Sequence, residues 1–248
     1  MLAVTLDNLF IVFAALIGLC FGSFANVVIY RLPLGKSVVS PPSCCQACST
    51  RLKWRDLLPV ISWLVLRGKC RYCNTKISPR YPVTELMCSI IFTLIAMHYG
   101  ADIYVLPLWC LAFCLLCIAW IDWDTMRIPD RLIIIIVLAG FSWVLLYQIF
   151  WQDALLGVLA GALPLLLIDR IVRLTAKKPG FGFGDVKLMA AAGLFLGWYG
   201  VFIAYGIAFI AAGVFASYLL LTKKAERGSY LAFGPFLCLG ILLSLLVI

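Results

Sequence analysis

The feature that most constrains this chain is its succession of long apolar runs. A helix that crosses the hydrocarbon core of a bilayer needs roughly 20 apolar residues, with about 17 as the short limit. Such runs cover about 8–30, 84–99, 103–121, 132–150, 153–169, 188–221 and 229–248. With 65% hydrophobic and 12% charged residues, the whole 248-residue chain is far more apolar than a soluble domain. The sequence therefore predicts an all-α polytopic membrane protein.

The run from Leu188 to Leu221 is too long for a single span. We predict a break near Gly197–Gly200, which gives two short helices there and about eight transmembrane helices in total. The first span is expected to stay uncleaved, because no basic segment precedes it and no evident cleavage site follows it. The predicted organisation is a first transmembrane helix at 1–30, a loop domain at 31–82 and a seven-helix membrane domain at 83–248.

The basic residues are confined to one side of this arrangement. Of 20 Lys and Arg, ten lie in 31–82, two in 122–131, five in 170–187 and three in 222–228. The opposite loops, at 98–102, 150–153 and 197–200, contain none. The positive-inside rule then predicts that the basic segments are cytoplasmic and that both termini lie outside. We therefore expect membrane lipid, and not nucleic acid, as the partner of this positive charge.

Two CxxC pairs stand in the 31–82 loop. Cys45 and Cys48 form the first pair, and Cys70 and Cys73 form the second. Each pair places two thiolates on one tight turn, and two such turns supply a tetrahedral set of sulfurs for Zn²⁺. A redox dithiol or incidental thiols are the alternatives, while structural disulfides are disfavoured in a reducing compartment. Because a loop of this size buries little core, a bound metal would stabilise its fold.

The carboxylates are placed at or near the ends of the predicted spans. None of the eleven acids falls at the middle of a span, which argues against a transporter that relies on midplane carboxylates. Asp122 ends the third span, and Asp185 closes the glycine-rich stretch Gly180–Gly184 directly before the sixth. Two such acids brought together share one proton, which suits peptide hydrolysis. The alternative is a flexible hinge in which Asp185 only caps a helix.

Further motifs accompany these along nearly the whole chain. They are GSFANVVIYRLP at 22–33, the two CxxC pairs, LLPVISW at 57–63, ISPRYP at 77–82, Glu85, Ile121-Asp122, IPD at 128–130 and GFGDVK at 182–187. In this order the set resembles the bacterial type IV prepilin peptidases, also called leader peptidase/N-methyltransferases. One departure is Gln46 after Cys45, where that family usually has proline.

The resemblance implies a GxGD-type aspartyl protease of the bacterial cytoplasmic (inner) membrane, with Asp122 and Asp185 as catalytic residues. It further implies an active-site loop that contains Gly182, Gly184 and Lys187. Two supporting acids would be Asp124 and Asp130. The substrates would be type IV prepilins, or the pseudopilins of type II secretion and DNA uptake. Their short basic leader would be cleaved on the cytoplasmic side, between a glycine and a phenylalanine.

The four matching cysteines imply the zinc-bearing form of that family, which also methylates the new N-terminal amine with S-adenosylmethionine. The candidates for contacting this methyl donor are Asn26, Arg31 and Glu85, which border the loop. A different class of function stays open on the sequence. The chain could be a membrane zinc-ribbon docking module of a pilus or secretion system, in which no acid acts as a catalyst.

Overall fold

The computed structural model describes residues 2–103, 105–176, 180–224 and 231–247. Every regular element in these ranges is helical, and the only β structure there is two isolated bridges. The all-α prediction is therefore confirmed for this part of the chain. The elements are α1 (Leu2–Arg31), a 3₁₀ turn (Trp54–Asp56), α2 (Ile61–Val65), α3 (Arg80–Tyr99), α4 (Val105–Thr125), α5 (Asp130–Leu146), α6 (Trp151–Ala176), α7 (Phe183–Leu221) and α8 (Gly234–Val247).

Five of the described helices are long and apolar enough to cross a membrane. They supply the segments Asp7–Arg31, Arg80–Tyr99, Val105–Thr125, Trp151–Thr175 and Phe183–Leu221, while α8 is apolar but shorter. Each predicted apolar run overlaps a helix, although positions 229, 230 and 248 of the last run lie outside the described residues. The multi-pass character of the chain is confirmed, and the total of eight spans stays a prediction.

The break predicted in the longest apolar run is present in α7. Gly197 has φ 61° and ψ −176°, whereas the residues on both sides of it are helical. Side chains disfavour a positive φ, so glycine is the residue that can interrupt the helix in this way. The two halves of α7 consequently meet at the position that the sequence indicates.

The first of two compact units comprises Met1–Val105. Its helices α1 and α3 pack along each other. A Cβ atom at Gly22 of α1 would lie 2.5 Å from the Glu85 Cα of α3, so the close contact requires glycine. Phe92 and Ile95 of α3 are almost fully buried. The loop between α1 and α3 carries the four CxxC cysteines.

The second unit comprises Leu106–Ile248. Its helix α7 packs against α5, α6 and α8. Helix α4 is the most buried of the candidate spans, and Leu111, Leu115 and Ile118 on it have no exposed surface. Asp122 lies near the end of this buried helix. The predicted domain organisation, with boundaries at 1–30, 31–82 and 83–248, stays a prediction.

Candidate active site and metal site

A cavity of about 380 Å³ in the second unit brings together the sequence motifs of α4 and α7. Its lining residues are Asp122, Met126, Arg127, Ile128, Asp130, Gly182, Phe183, Gly184, Asp185 and Lys187. Asp122 and Asp185 are far apart in sequence, yet both line this cavity with only 6% and 8% of their surface exposed. We call these two residues the carboxylate pair.

Asp122 is held at the end of α4 by the beginning of α8. Its Oδ2 atom accepts a hydrogen bond from the Gly234 N–H at 3.0 Å, and both groups are buried. The N-terminus of a helix carries partial positive charge, which stabilises a carboxylate placed there. A Cβ atom at Gly234 would lie 2.6 Å from the same Oδ2 atom. Only glycine leaves room for Asp122 in this position.

Asp185 is held by the chain segment that precedes it. It lies in the first turn of α7, and its Oδ2 atom accepts a hydrogen bond from the Gly182 N–H at 3.1 Å. In return, the Asp185 N–H donates to the Gly182 carbonyl oxygen at 3.0 Å. Asp185 therefore caps α7, as the hinge alternative anticipated, while it also faces the cavity. Each member of the carboxylate pair thus receives one N–H from a glycine.

The other predicted residues of this site separate into two groups. Lys187, which was expected in an active-site loop, lies in the first turns of α7. Its Nζ atom is 2.7 Å from Asp130 Oδ1 and 5.0 Å from the centre of the Phe183 ring, so this lysine and one supporting acid form an ion pair at the cavity. Gly182 and Gly184 line the cavity as well. Asp124, the second supporting acid, is exposed and does not line it.

Sequence reasoning missed a cluster of three phenylalanines, two of which directly precede the glycines that donate to the carboxylate pair. Ring centroids lie 5.1 Å apart for Phe181 and Phe233, 5.2 Å for Phe209 and Phe233, and 6.1 Å for Phe181 and Phe209. Phe181 precedes Gly182 and Phe233 precedes Gly234, so the cluster fixes both segments that donate to the aspartates. The dipeptide Phe-Gly occurs at 181–182 and 233–234, but also at 21–22 and 183–184, so it does not single out this cluster in the sequence.

In the first unit, the four CxxC cysteines converge, and we call them the thiol cluster. The sulfurs of Cys45, Cys48, Cys70 and Cys73 all lie within 4.8 Å of one another. Cys45 Sγ and Cys73 Sγ are 3.8 Å apart. A tetrahedral zinc site with Zn–S bonds of about 2.3 Å requires sulfur–sulfur distances of about 3.8 Å. The donor set and its spacing fit a tetrahedral thiophilic metal ion.

Each half of the thiol cluster is built by the same local hydrogen bonds. The Cys45 N–H donates to the Thr50 carbonyl at 3.0 Å, and the Ser49 N–H donates to the Cys45 carbonyl at 2.9 Å. The second half repeats this pattern, with Cys70–Thr75 and Asn74–Cys70 bonds of 2.9 Å each. Ser49 and Asn74 both have φ 56°. The two halves are therefore tight turns of one type, closed by backbone alone.

Threonine hydroxyl groups favour the thiolate form in both turns. Cys73 Sγ lies 3.3 Å from Thr75 Oγ1, and its hydrogen bonds with this hydroxyl and with the Thr75 backbone lower the pKa of Cys73 to about 6. The equivalent bond from Thr50 lowers the pKa of Cys48. Metals bind thiolates and not thiols, so the two threonines prepare Cys48 and Cys73 for a metal.

The three candidate contacts for S-adenosylmethionine make hydrogen bonds within the first unit, from Asn26 between α1 and α3 and from Arg31 and Glu85 to the loop. Asn26 Nδ2 donates to the carbonyl oxygens of Gly22 and Tyr81, both at 3.2 Å. Glu85 Oε2 accepts the Val60 N–H at 2.7 Å. The Arg31 guanidinium donates to backbone carbonyls of the following loop. These bonds assign the three residues a structural task, and a role towards the methyl donor stays a prediction.

Two family models match the chain, one in each unit. Residues 16–99 match the bacterial peptidase A24 N-terminal domain, and residues 109–217 match the type IV leader peptidase family. The first match contains the thiol cluster, and the second contains the carboxylate pair.

Curated relatives match over most of their length. A prepilin leader peptidase/N-methyltransferase of Pseudomonas putida is 34% identical, over 93% of this chain and 88% of the relative. A protein of Neisseria gonorrhoeae with the same name is 33% identical, over 90% and 86%. One from Aeromonas hydrophila is 32% identical, over 93% and 88%. No solved structure gives a significant match.

Proposed function

We propose that this chain, which belongs to the type IV leader peptidase family, cleaves the short basic leader from type IV prepilins or pseudopilins. The observation that carries the proposal is the buried carboxylate pair on the wall of one cavity. Prepilin leader peptidase/N-methyltransferase is the name of relatives that match over nearly the whole chain, which supports the same activity here. Asp122 and Asp185 are the catalytic residues in this proposal.

The chemistry follows from two carboxyl groups that share one proton. The ionised carboxylate takes a proton from a water molecule as the water oxygen attacks the scissile carbonyl carbon. The protonated partner donates its hydrogen bond to the carbonyl oxygen, on which negative charge develops. A proton then passes to the leaving amine, and the carbon–nitrogen bond breaks. The Gly234 and Gly182 N–H groups hold the two carboxyls in the orientation that these transfers need.

The cavity wall also suits an extended peptide. Gly182 and Gly184 present backbone without side chains beside Asp185. An extended substrate segment can therefore approach the carboxylate pair closely. Since a prepilin has a hydrophobic helix after its leader, its scissile bond lies near the membrane surface, and the carboxylate pair lies near the ends of two candidate spans.

A second activity, N-methylation of the new N-terminal amine, is part of the proposal. S-adenosylmethionine would supply an electrophilic methyl group, and the substrate amine must lose its proton before it attacks that group. The names of the relatives support this activity. Asn26, Arg31 and Glu85 remain the candidate residues near the methyl donor.

The thiol cluster would hold Zn²⁺ with a structural role. All four sulfurs would serve as ligands, which leaves no open position for a substrate. The metal would keep the two turns of the loop in place, because this loop has little apolar core of its own.

The proposed location is the bacterial inner membrane, with lipid around the apolar faces of the spans. The basic segments and the carboxylate pair would face the cytoplasm, as the positive-inside rule requires. In this orientation the enzyme meets the basic prepilin leader on the side where the leader resides.

The purified full-length chain in lipid vesicles, mixed with a prepilin and S-adenosylmethionine, tests the function by intact mass. We expect the substrate to lose its leader and the mature chain to gain one methyl group. Without S-adenosylmethionine, only the leader should be lost. If a folded enzyme leaves several different prepilins whole, the peptidase proposal is wrong. The docking module is not favoured, because it gives no reason for a buried carboxylate pair.

A further inference from the structure

The loop of the first unit exposes an ordered set of large apolar side chains. Six large apolar residues lie between positions 54 and 65, in and around the 3₁₀ turn Trp54–Asp56 and the short helix α2, Ile61–Val65. They are Trp54, Leu57, Leu58, Ile61, Leu64 and Val65, which we call the apolar stripe. All six are exposed, and the exposed fraction reaches 68% for Trp54 and 71% for Val65. Exposed large apolar side chains grouped in one short segment are typical of an interaction site.

The opposite side of the same segment is fixed by polar contacts. Asp56 pairs with Arg71 at 2.7 Å and accepts a hydrogen bond from the Tyr72 hydroxyl at 2.9 Å. The Trp63 indole N–H donates to the Ile77 carbonyl at 3.1 Å. Because these bonds turn the polar side towards the rest of the loop, the apolar stripe faces outward as a consequence of the fold.

The depth of the stripe is set by a contact to a membrane helix. The Val60 N–H donates to Glu85 Oε2 at 2.7 Å, and Glu85 lies in the second turn of α3. With a rise of 1.5 Å per residue, Glu85 is about 7.5 Å along the axis from Arg80, where this candidate span begins. A basic residue at the end of a span marks the bilayer interface. Val60, and with it the apolar stripe, is consequently held at interfacial depth.

The positive charge around the apolar stripe indicates that its partner is negatively charged. Residues 31–82 contain ten Lys and Arg but a single acid, Asp56, and that acid is paired with Arg71. Lys53, Arg55 and Arg67 flank the stripe and are exposed. A basic substrate leader would be repelled by this charge. Exposed apolar residues flanked by cations are typical of surfaces that lie in the interface of an anionic bilayer.

We propose that the apolar stripe inserts into the headgroup region of the anionic phospholipid bilayer that surrounds the spans. It anchors the loop, with its thiol cluster, on the membrane surface beside α3. The inference is independent of the peptidase and methyltransferase activities.

Photo-crosslinking on the full-length chain tests this docking surface. Benzoylphenylalanine replaces Leu64 in the stripe or, as the control, Lys76, an exposed residue of the same loop outside the stripe. Each protein is reconstituted in vesicles of phosphatidylglycerol and phosphatidylethanolamine, irradiated and weighed by mass spectrometry. We expect phospholipid adducts at position 64 in at least about threefold excess over position 76. Equal lipid labelling at both positions would overturn the proposal.

The same experiment identifies a different occupant if there is one. A crosslink from position 64 to a second copy, or to added prepilin, gives its own mass and would replace lipid with a protein partner. A second variant pair tests the apolar character itself. With benzoylphenylalanine at Ile61, we expect Leu64→Asp to reduce lipid adducts and Leu64→Met to retain them. Unchanged adducts in the Leu64→Asp chain would contradict insertion.

Discussion

The thiol cluster and the carboxylate pair are assembled in opposite ways. Each turn of the thiol cluster closes on itself through backbone hydrogen bonds between residues that are close in sequence, such as Cys70 and Thr75. Asp122 and Asp185 come from different helices, and Asp122 accepts its hydrogen bond from Gly234, 112 residues further along the chain, whereas the Gly182 donor of Asp185 is local. The geometry of the thiol cluster therefore depends on the CxxC spacing and on the bound metal ion. The geometry of the carboxylate pair depends on the packing of α4, α7 and α8.

The largest expected effect comes from the carboxylate pair itself. We expect Asp122→Asn or Asp185→Asn to reduce leader cleavage by about 10³-fold or more, because an amide can neither take up nor share the catalytic proton. The two side chains have the same shape, so helix content and bound metal should be unchanged. Cleavage rates measured by intact mass test this. Asp153→Asn, an exposed acid at the start of α6, is the control and should cleave normally.

The next prediction concerns loss of a metal ligand, which should affect the thiol cluster much more than the carboxylate pair. We expect Cys45→Ser to lose most of its bound zinc, because three sulfurs no longer complete the tetrahedral site. The loop should then become sensitive to trypsin, which has many basic residues to cleave there. Leader cleavage should fall by less than about tenfold, since Gly234 and Gly182, which donate hydrogen bonds to the carboxylate pair, belong to the second unit.

Cys44 supplies the matched control for this metal prediction. It is exposed, directly precedes Cys45 and is not one of the four converging cysteines. Cys44→Ser should retain zinc at the wild-type level, as measured by elemental analysis of the purified protein. Equal zinc loss in both variants would show that the thiol cluster is not the metal site.

A smaller effect tests how the fold positions the carboxylate pair. In Gly234→Ala, the new Cβ atom would lie 2.6 Å from Asp122 Oδ2, so either Asp122 or α8 must move. A displacement of this size at a catalytic group should slow cleavage by about ten- to a hundredfold. Gly206→Ala in α7 has open space around its Cβ position and should cleave like the wild type. Wild-type rates in both variants would remove Gly234 from the positioning of Asp122.

The smallest effect concerns the electrostatics of the thiol cluster. In Thr75→Val, the Cys73 thiolate loses a hydroxyl donor, so the pKa of Cys73 should rise from about 6. Protons then compete with the metal for the Cys73 sulfur at a higher pH. The pH at which half of the zinc is released on acidification should therefore rise. Loss of such a supporting contact typically costs about tenfold or more in metal affinity. A zinc-release midpoint that stays in place would show that Thr75 does not tune Cys73.

Much of this arrangement could be predicted from the sequence, because its signals are local. Apolar runs located the helices, and Gly197 lies where the longest run was expected to break. The CxxC spacing indicated the thiol cluster, since its turns close over a few residues. The Gly182–Asp185 cap is local in the same sense.

The features that sequence reasoning missed depend on long-range packing. Nothing near Asp122 in the sequence points to its partner Gly234. The contact of Phe181 with Phe233 likewise forms only after α7 and α8 have packed. The outward orientation of the apolar stripe follows from pairs such as Asp56 and Arg71, which hold the polar side of the segment against the loop. The sequence alone would predict that such large apolar residues are buried.

The most direct test of the account is one cleavage experiment that compares the two regions. Wild-type enzyme, Asp185→Asn and wild-type enzyme stripped of metal by a chelator act on the same prepilin in vesicles, with intact mass as the readout. We predict that the wild-type and metal-stripped enzymes remove the leader, while Asp185→Asn leaves the substrate whole. Leader removal by Asp185→Asn at the wild-type rate would contradict the assignment of catalysis to the carboxylate pair.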